Sequence, residues 1–82
     1  MINVLTEMSG LLEIIEELKG RHGSINAAAR AMGMPQATLH AIYKGEEPRM
    51  ANLEIIARYR RQPVWKLMRE IEYRERQMSA PS

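Results

Sequence analysis

ARAMGMPQATLHAIYKG, residues 29–45, sets two short helical patterns on either side of a glycine at position 33. Helices this short are marginal in water, so each must be held by packing against the other and against the rest of the chain. Ahead of the glycine, Ala27, Ala28, Ala29 and Ala31 are small for a helix meant to bury apolar area, and small side chains let another backbone come close. Gly33 stands where a helix ends in a left-handed residue. That conformation costs glycine nothing and costs most residues about 1 kcal/mol or more. Met34 then drops into the core as the chain turns, which yields two helices crossing steeply over a short turn.

Projected at about 100° per residue, the segment after Pro35 gathers Leu39, Ile42 and Tyr43 on one side. The other side collects Ala37, His40, Ala41 and Lys44, flanked by Gln36 and Thr38. Polar groups able to reach base edges, interleaved with alanines that permit close approach, suit a helix entering a major groove. The Gln36 amide fits adenine, Ala37 and Ala41 fit a thymine methyl, and Lys44 is long enough for a phosphate or a guanine. His40 reads equally as a DNA contact or as an exposed helical residue without a role.

Outward from this stretch, three further helices follow from periodicity. Leu11, Leu12, Ile14, Ile15 and Leu18 space a helix buried on one side, with Ser9 as its N-cap and the Gly20–Gly23 region closing it. Ser24 caps the second helix, which ends at Gly33; Pro35 starts the third and Gly45 stops it. Glu46, Glu47 and Pro48 form a loop. A fourth helix begins near Met50 or Ala51 with Leu53, Ile56, Ala57 and the Arg60 stem inside, and Gln62-Pro63 breaks it. Proline suits the first turn of a fifth helix, expected over about 63–76 with Val64, Leu67, Met68 and Ile71 on one stripe. Residues 79–82 read as a disordered tail. Neither a strand pattern nor a repeat is present, so the expected class is all-α: one five-helix domain over residues 1–78.

A chain of 82 residues buries about 60–65% of its unfolded surface, a modest core unless dimerisation adds to it. It has no cysteine, so disulfides and thiolate metal sites are out, and its two histidines lie far apart in sequence, which argues against a metal. The seven methionines read as core filler, and His22 as a solvated turn residue. No apolar run approaches the ~18 residues that span a bilayer, and the N-terminal residues show no signal pattern; a cytoplasmic protein is expected. The net charge of +2 is weak evidence, but its distribution is uneven. Glu7, Glu13, Glu16 and Glu17 crowd the first twenty residues, Arg21, Arg30 and Lys44 occupy an acid-free middle, and Arg58, Arg60 and Arg61 form a basic knot. An acid-free segment lets a polyanion approach without repulsion, although ordinary surface chemistry gives the same pattern.

Taken together, AARAMGMPQATLHAIYKG (residues 28–45) resembles the helix-turn-helix of the lambda-repressor-like family, which includes phage Cro proteins and many small bacterial regulators. The resemblance is carried by Ala29, Gly33, Met34, Pro35, Gln36, Thr38, Leu39, Ile42 and Gly45, then by Pro48 with NLEIIARY and by VWKLM, and covers about residues 9–68. It implies base contacts from Gln36, Ala37 and Ala41, and backbone contacts from Thr38, Lys44 and Arg49. It also implies a phosphate grip at the second helix's N-terminus, Ser24 to Asn26. The last has independent support, since free N–H groups and the helix dipole favour an anion there. Three departures stand out: Ile25 where the family often has glutamine, Pro35 in place of a serine or threonine cap, and Glu46 and Glu47 where many relatives are basic.

The fifth helix is longer than a minimal domain requires. The core can absorb Leu67 and Met68, whereas Ile71 and Tyr73 call for a partner, most simply a second copy, whose interface is expected to take Trp65, Met68, Ile71 and Tyr73. Trp65 serves either as a partly buried anchor or as an interface residue. No nucleophile–base pair and no phosphate-binding glycine loop is present, so neither an enzyme nor a cofactor or small-molecule ligand is expected, and the acids of the first helix read as its solvated face. The expected function is a dimeric, Cro-like repressor of phage or mobile-element type that binds a palindromic operator in double-stranded DNA. The alternative is an antitoxin or protein-interaction module that uses the same fold on another protein.

Overall fold

A computed structural model describes the backbone from residue 4 to residue 79 and the side chains from 9 to 77. Five helices follow in order: α1 (Val4–His22), α2 (Ile25–Met32), α3 (Gln36–Tyr43), α4 (Met50–Tyr59) and α5 (Val64–Ser79), with no strand among the described residues. The molecule is compact, with a Cα radius of gyration of 12.4 Å. α1 is the spine and packs against α5, α2 and α3; α2 also meets α3 and α4, and α4 meets α5. The shared core takes Leu11, Ile14, Ile15 and Leu18 from α1, Ala28 and Ala29 from α2, Leu39 and Ile42 from α3, Ile56 from α4 and Leu67 from α5. With Ile25 added in α2 and Leu53 and Ala57 in α4, the sets of α1 to α4 recur at three- and four-residue steps, the spacing that keeps side chains on one face of a helix.

The helix ends explain why the turns are tight. At Gly33 (φ 77°) the Gly33 N–H donates to the Arg30 carbonyl and the Met34 N–H to the Ala29 carbonyl, the paired bonds of a Schellman ending. The same pair closes α3 at Gly45 (φ 110°), where Gly45 N–H reaches Ile42 and Glu46 N–H reaches Ala41. It recurs after α4 through Arg61 and Gln62, but there the left-handed residue is Arg61 (φ 58°), with a side chain that disfavours the conformation. Arg61→Gly is therefore expected to raise stability by about 0.5–1 kcal/mol, the relief of αL strain exceeding glycine's larger unfolded-state entropy. Thermal denaturation checks this, and a lower melting temperature would contradict it.

Several expectations are corrected. Ser9 does not cap α1, which has begun by Val4; a serine before an apolar run looks the same whether or not the backbone is already helical. Pro35 is the cap residue of α3 (φ −57°, ψ 137°), its carbonyl receiving the Thr38 and Leu39 N–H groups, and the helix proper starts at Gln36. α5 runs from Val64 to Ser79, so Ser79 of the expected tail is helical, while residues 80–82 lie outside the described ones. Met68 is 41% exposed, not absorbed by the core, and Ile71 is half-buried against its own chain's core. Trp65 is 59% exposed, more than a partly buried anchor would be. His22 is not merely solvated: its ring shares a 2.6 Å hydrogen bond with the Tyr59 hydroxyl and ties the end of α1 to the end of α4.

The acids of α1 are also more than a solvated face. Arg74 of α5 donates to Glu13 (2.6 Å) and Glu17 (2.6 Å) on α1, and to Glu70 (2.8 Å) one turn back on its own helix. Glu70 in turn accepts two 2.9 Å bonds from Arg60, which is thereby drawn out of the basic knot. The hydrogen bond from Arg74 holds the Glu17 carboxyl below its ordinary value of 4.5 against an opposing burial effect. At Glu70 burial pushes upward most strongly, but hydrogen bonds and charge from Arg74 and Arg60 together overcome it, and the pKa is lowered. Carboxylates depressed in the fold stabilise it above their unfolded pKa, and that stabilisation is lost as pH falls through the folded values. Arg74→Met is therefore expected to cost about 1–2 kcal/mol near neutrality, since Glu13 and Glu17 remain partly solvated. The variant should also lose less of its remaining stability than the parent between neutral pH and strongly acidic pH. Urea titrations across that range test both parts, and parallel losses would contradict the second.

Candidate nucleic-acid interface

α3 is a short helix of eight residues. It packs on α1 and α2 and on no other helix among the described residues. Leu39 and Ile42 are buried beneath it, and Tyr43, half-buried, donates its hydroxyl to Glu16 of α1 at 2.8 Å. Lys19 sits over the Tyr43 ring at 5.6 Å from its centre, so the C-terminal turn of α3 is tied to α1 by a hydrogen bond and a cation–π contact. The side of α3 away from these contacts faces solvent.

That open side carries the predicted residues. Gln36 stands half-buried at the first helical position, Ala37 is exposed, and Thr38, His40 and Ala41 are partly exposed. Lys44 is exposed just past the last turn. Ala37, Thr38 and Ala41 line a shallow groove together with Arg49, which caps α4, and with Ala51 and Asn52 in the first turn of α4. Asn52 was not anticipated; the only signal for it is an amide at the third position of a helix that starts beside the turn after α3. Glu46 and Glu47 border the same groove and are exposed. They add negative charge at one edge of an otherwise acid-free surface.

The start of α2 is joined to α3 directly. Ser24 has extended backbone (φ −164°, ψ 164°), and its hydroxyl accepts the Ala27 N–H at 3.0 Å, a regular N-cap. The earlier N–H groups of that turn point out of the helix, as in any α-helix start. Asn26, in the same turn, accepts a 2.7 Å hydrogen bond from His40 Nε2 of α3. Two residues predicted as separate contacts are therefore partners of each other. The bond fixes the imidazole and the amide at the junction of the two helices. Gln36 and Lys44 are not part of the groove; they stand at opposite ends of α3.

Of the residues predicted for a dimer surface, Trp65, Met68 and Tyr73 are exposed on α5, whereas Ile71 is half-buried. No group of three or more potential metal-ligating side chains occurs among the described residues, and no described helix is long and apolar enough to cross a membrane. Comparison with protein-family models, with curated proteins and with solved structures finds no match to the chain, so its likeness to the lambda-repressor-like family stands on the residues quoted for it.

Proposed function

We propose that this chain is a sequence-specific double-stranded-DNA-binding regulator of the lambda-repressor-like helix-turn-helix type, acting as a homodimer on a palindromic operator. The observation that carries the reading is the placement of α3: anchored on one side by Leu39 and Ile42, and open on the other with Gln36, Ala37, Thr38 and Ala41 facing out. A helix supported from behind and lined with small and polar side chains in front has the dimensions and chemistry of a major-groove reader. In this reading Gln36 pairs with adenine, Ala37 and Ala41 pack on thymine methyls, and Thr38, Lys44, Arg49 and the α2 start hold phosphates. The His40–Asn26 bond keeps the two helices in register on the duplex. Occlusion of a promoter is the simplest mode of action for a DNA-binding unit of this kind.

A second reading, an antitoxin or other protein-binding module, draws on one observation: Glu46 and Glu47 border the groove beside α3, where a polyanion gains nothing from them. Selection of bound duplexes from a random pool separates the two, because a protein-binding module enriches no sequence. On the selected duplex, Gln36→Ala is expected to weaken binding by about 1–3 kcal/mol and relax one base position, leaving non-specific affinity unchanged. Lys44→Ala is expected to weaken all duplexes and lower the slope of log K against log salt by about one. Identical behaviour of the two variants would overturn the division into base and phosphate contacts.

A further inference from the structure

Between α5 and the loop that joins α3 to α4, an open groove of about 260 Å³ runs over the core. Leu11 and Leu53, both buried, lie at its bottom. Met68, Ile71, Glu72 and Glu75 form the α5 wall, spaced so that they share one face of the helix. Pro48 and Glu47 form the facing wall. The groove is apolar below and acidic at both edges. Among the described residues no lysine or arginine lines it, although the chain has 12 of them against 10 acids. Glu47 and Glu72 are both exposed, and neither takes part in an ion pair among the described residues. Glu13, Glu17 and Glu70, by contrast, are held by Arg74 and Arg60.

We infer that this groove is a docking site for a basic amphipathic helix of another protein, its apolar side chains laid over Leu11, Leu53 and Ile71 and its lysines or arginines set beside Glu47 and Glu72. In such helix-in-groove contacts the apolar stripe supplies affinity, while the flanking charges set partner choice and speed of encounter. Other occupants fit less well. Nucleic acid is disfavoured because carboxylates at both edges repel phosphates. Sites that enclose a drug-sized ligand measure ~300–1,000 Å³, whereas this groove is smaller and open to solvent, which suits side chains laid in from the surface. A second copy related by a twofold axis through the groove would bring Glu47 and Glu72 against the same two carboxylates. Trp65 and Tyr73, the most exposed large side chains of α5, do not line the groove and have no part in this contact. A basic helix offsets both carboxylates and covers the half-buried Ile71 together with Met68.

This goes beyond the DNA reading and does not rest on it, so the test uses no duplex and its failure leaves duplex selection untouched. The probe is a short synthetic amphipathic helix of leucine and lysine, with a leucine–glutamate helix of the same pattern as its counterpart. Methyl resonances of the full chain are followed during titration with each. The leucine–lysine helix is expected to bind saturably and to shift the methyls of Leu11, Leu53 and Ile71, and the leucine–glutamate helix is expected not to bind. The double variant Glu47→Lys with Glu72→Lys should raise the dissociation constant for the leucine–lysine helix by roughly tenfold or more, since two attractions become two repulsions. The same variant should begin to bind the leucine–glutamate helix. Glu54→Lys, an exposed acid of α4 that does not line the groove, should leave binding within about twofold of the parent's. Circular dichroism on each variant confirms that the helices remain folded. Absence of binding, shifts confined to other methyls, or equal affinity in the folded double variant overturns the inference. So does a parent whose groove methyls shift with its own concentration before any peptide is added, because a second copy then fills the groove.

Discussion

Leu39→Ala is expected to lower the stability of the chain by about 2–5 kcal/mol, the usual cost of removing a fully enclosed leucine and leaving a cavity. Leu39 has no exposed surface, and it sits on the face of α3 that packs on α1 and α2, the only helices α3 touches among the described ones. A helix of eight residues has no stability of its own to draw on, so its position depends on this one buried face. An 82-residue domain has a total stability of about 4–12 kcal/mol, so the loss takes a large share. The melting temperature should fall by at least about 8 °C. A variant that melts within a few degrees of the parent would mean that α3 is held by something other than its Leu39–Ile42 face.

The second large effect concerns a glycine whose role is invisible at the level of local propensity. Gly10 lies inside α1, where glycine is ordinarily a defect and alanine improves stability by about 0.5–1 kcal/mol. Here the sign should reverse. A Cβ at position 10 would collide with the Ile71 carbonyl oxygen of α5 and would stand 3.0 Å from Glu75 Cγ. Backbone cannot rotate away as a side chain does, so α1 and α5 must separate along a seam that also holds Leu11, Leu67 and the Arg74 bonds. Gly10→Val is expected to cost about 3 kcal/mol, at the upper end of ordinary overpacking, and Gly10→Ala somewhat less. Gly20 provides the internal control: it lies in the same helix, a Cβ there would meet nothing within 4 Å, and Gly20→Ala should stabilise by about 0.5–1 kcal/mol. Paired chemical denaturation of the two alanine variants decides the matter. Equal signs would show that α5 does not press on α1 at Gly10.

The turn residues behave differently. Gly33 and Gly45 announce themselves in the sequence because a left-handed residue is needed wherever a helix ends in a Schellman pair, and glycine meets that need locally. The space beside Gly33 is open, so a substitution there is strained by backbone conformation alone and not by a neighbour. Arg61 performs the same task without glycine's signature, and no pattern in the sequence marks it.

The five helices, the small-residue face of α2, the Leu39–Ile42 anchor and the exposed side of α3 are all legible in the amino-acid order. They depend on periodicity, capping and turn chemistry, which act over three to five residues and need no knowledge of what lies across the core. Contacts between segments distant in the chain were decided only in three dimensions. Gly10 against the α5 backbone, Arg74 reaching Glu13 and Glu17, His22 on Tyr59 and the bond between Asn26 and His40 each join residues whose separation along the chain carries no periodic signal. The partition of α5 was settled in the same way. Its apolar stripe recurs from Val64 to Ile71, yet packing on α1 and α4 buries Leu67 and leaves Met68 41% exposed. Which side of an amphipathic helix faces the core is fixed locally, but how far around it the core extends depends on where α1 and α4 come to rest.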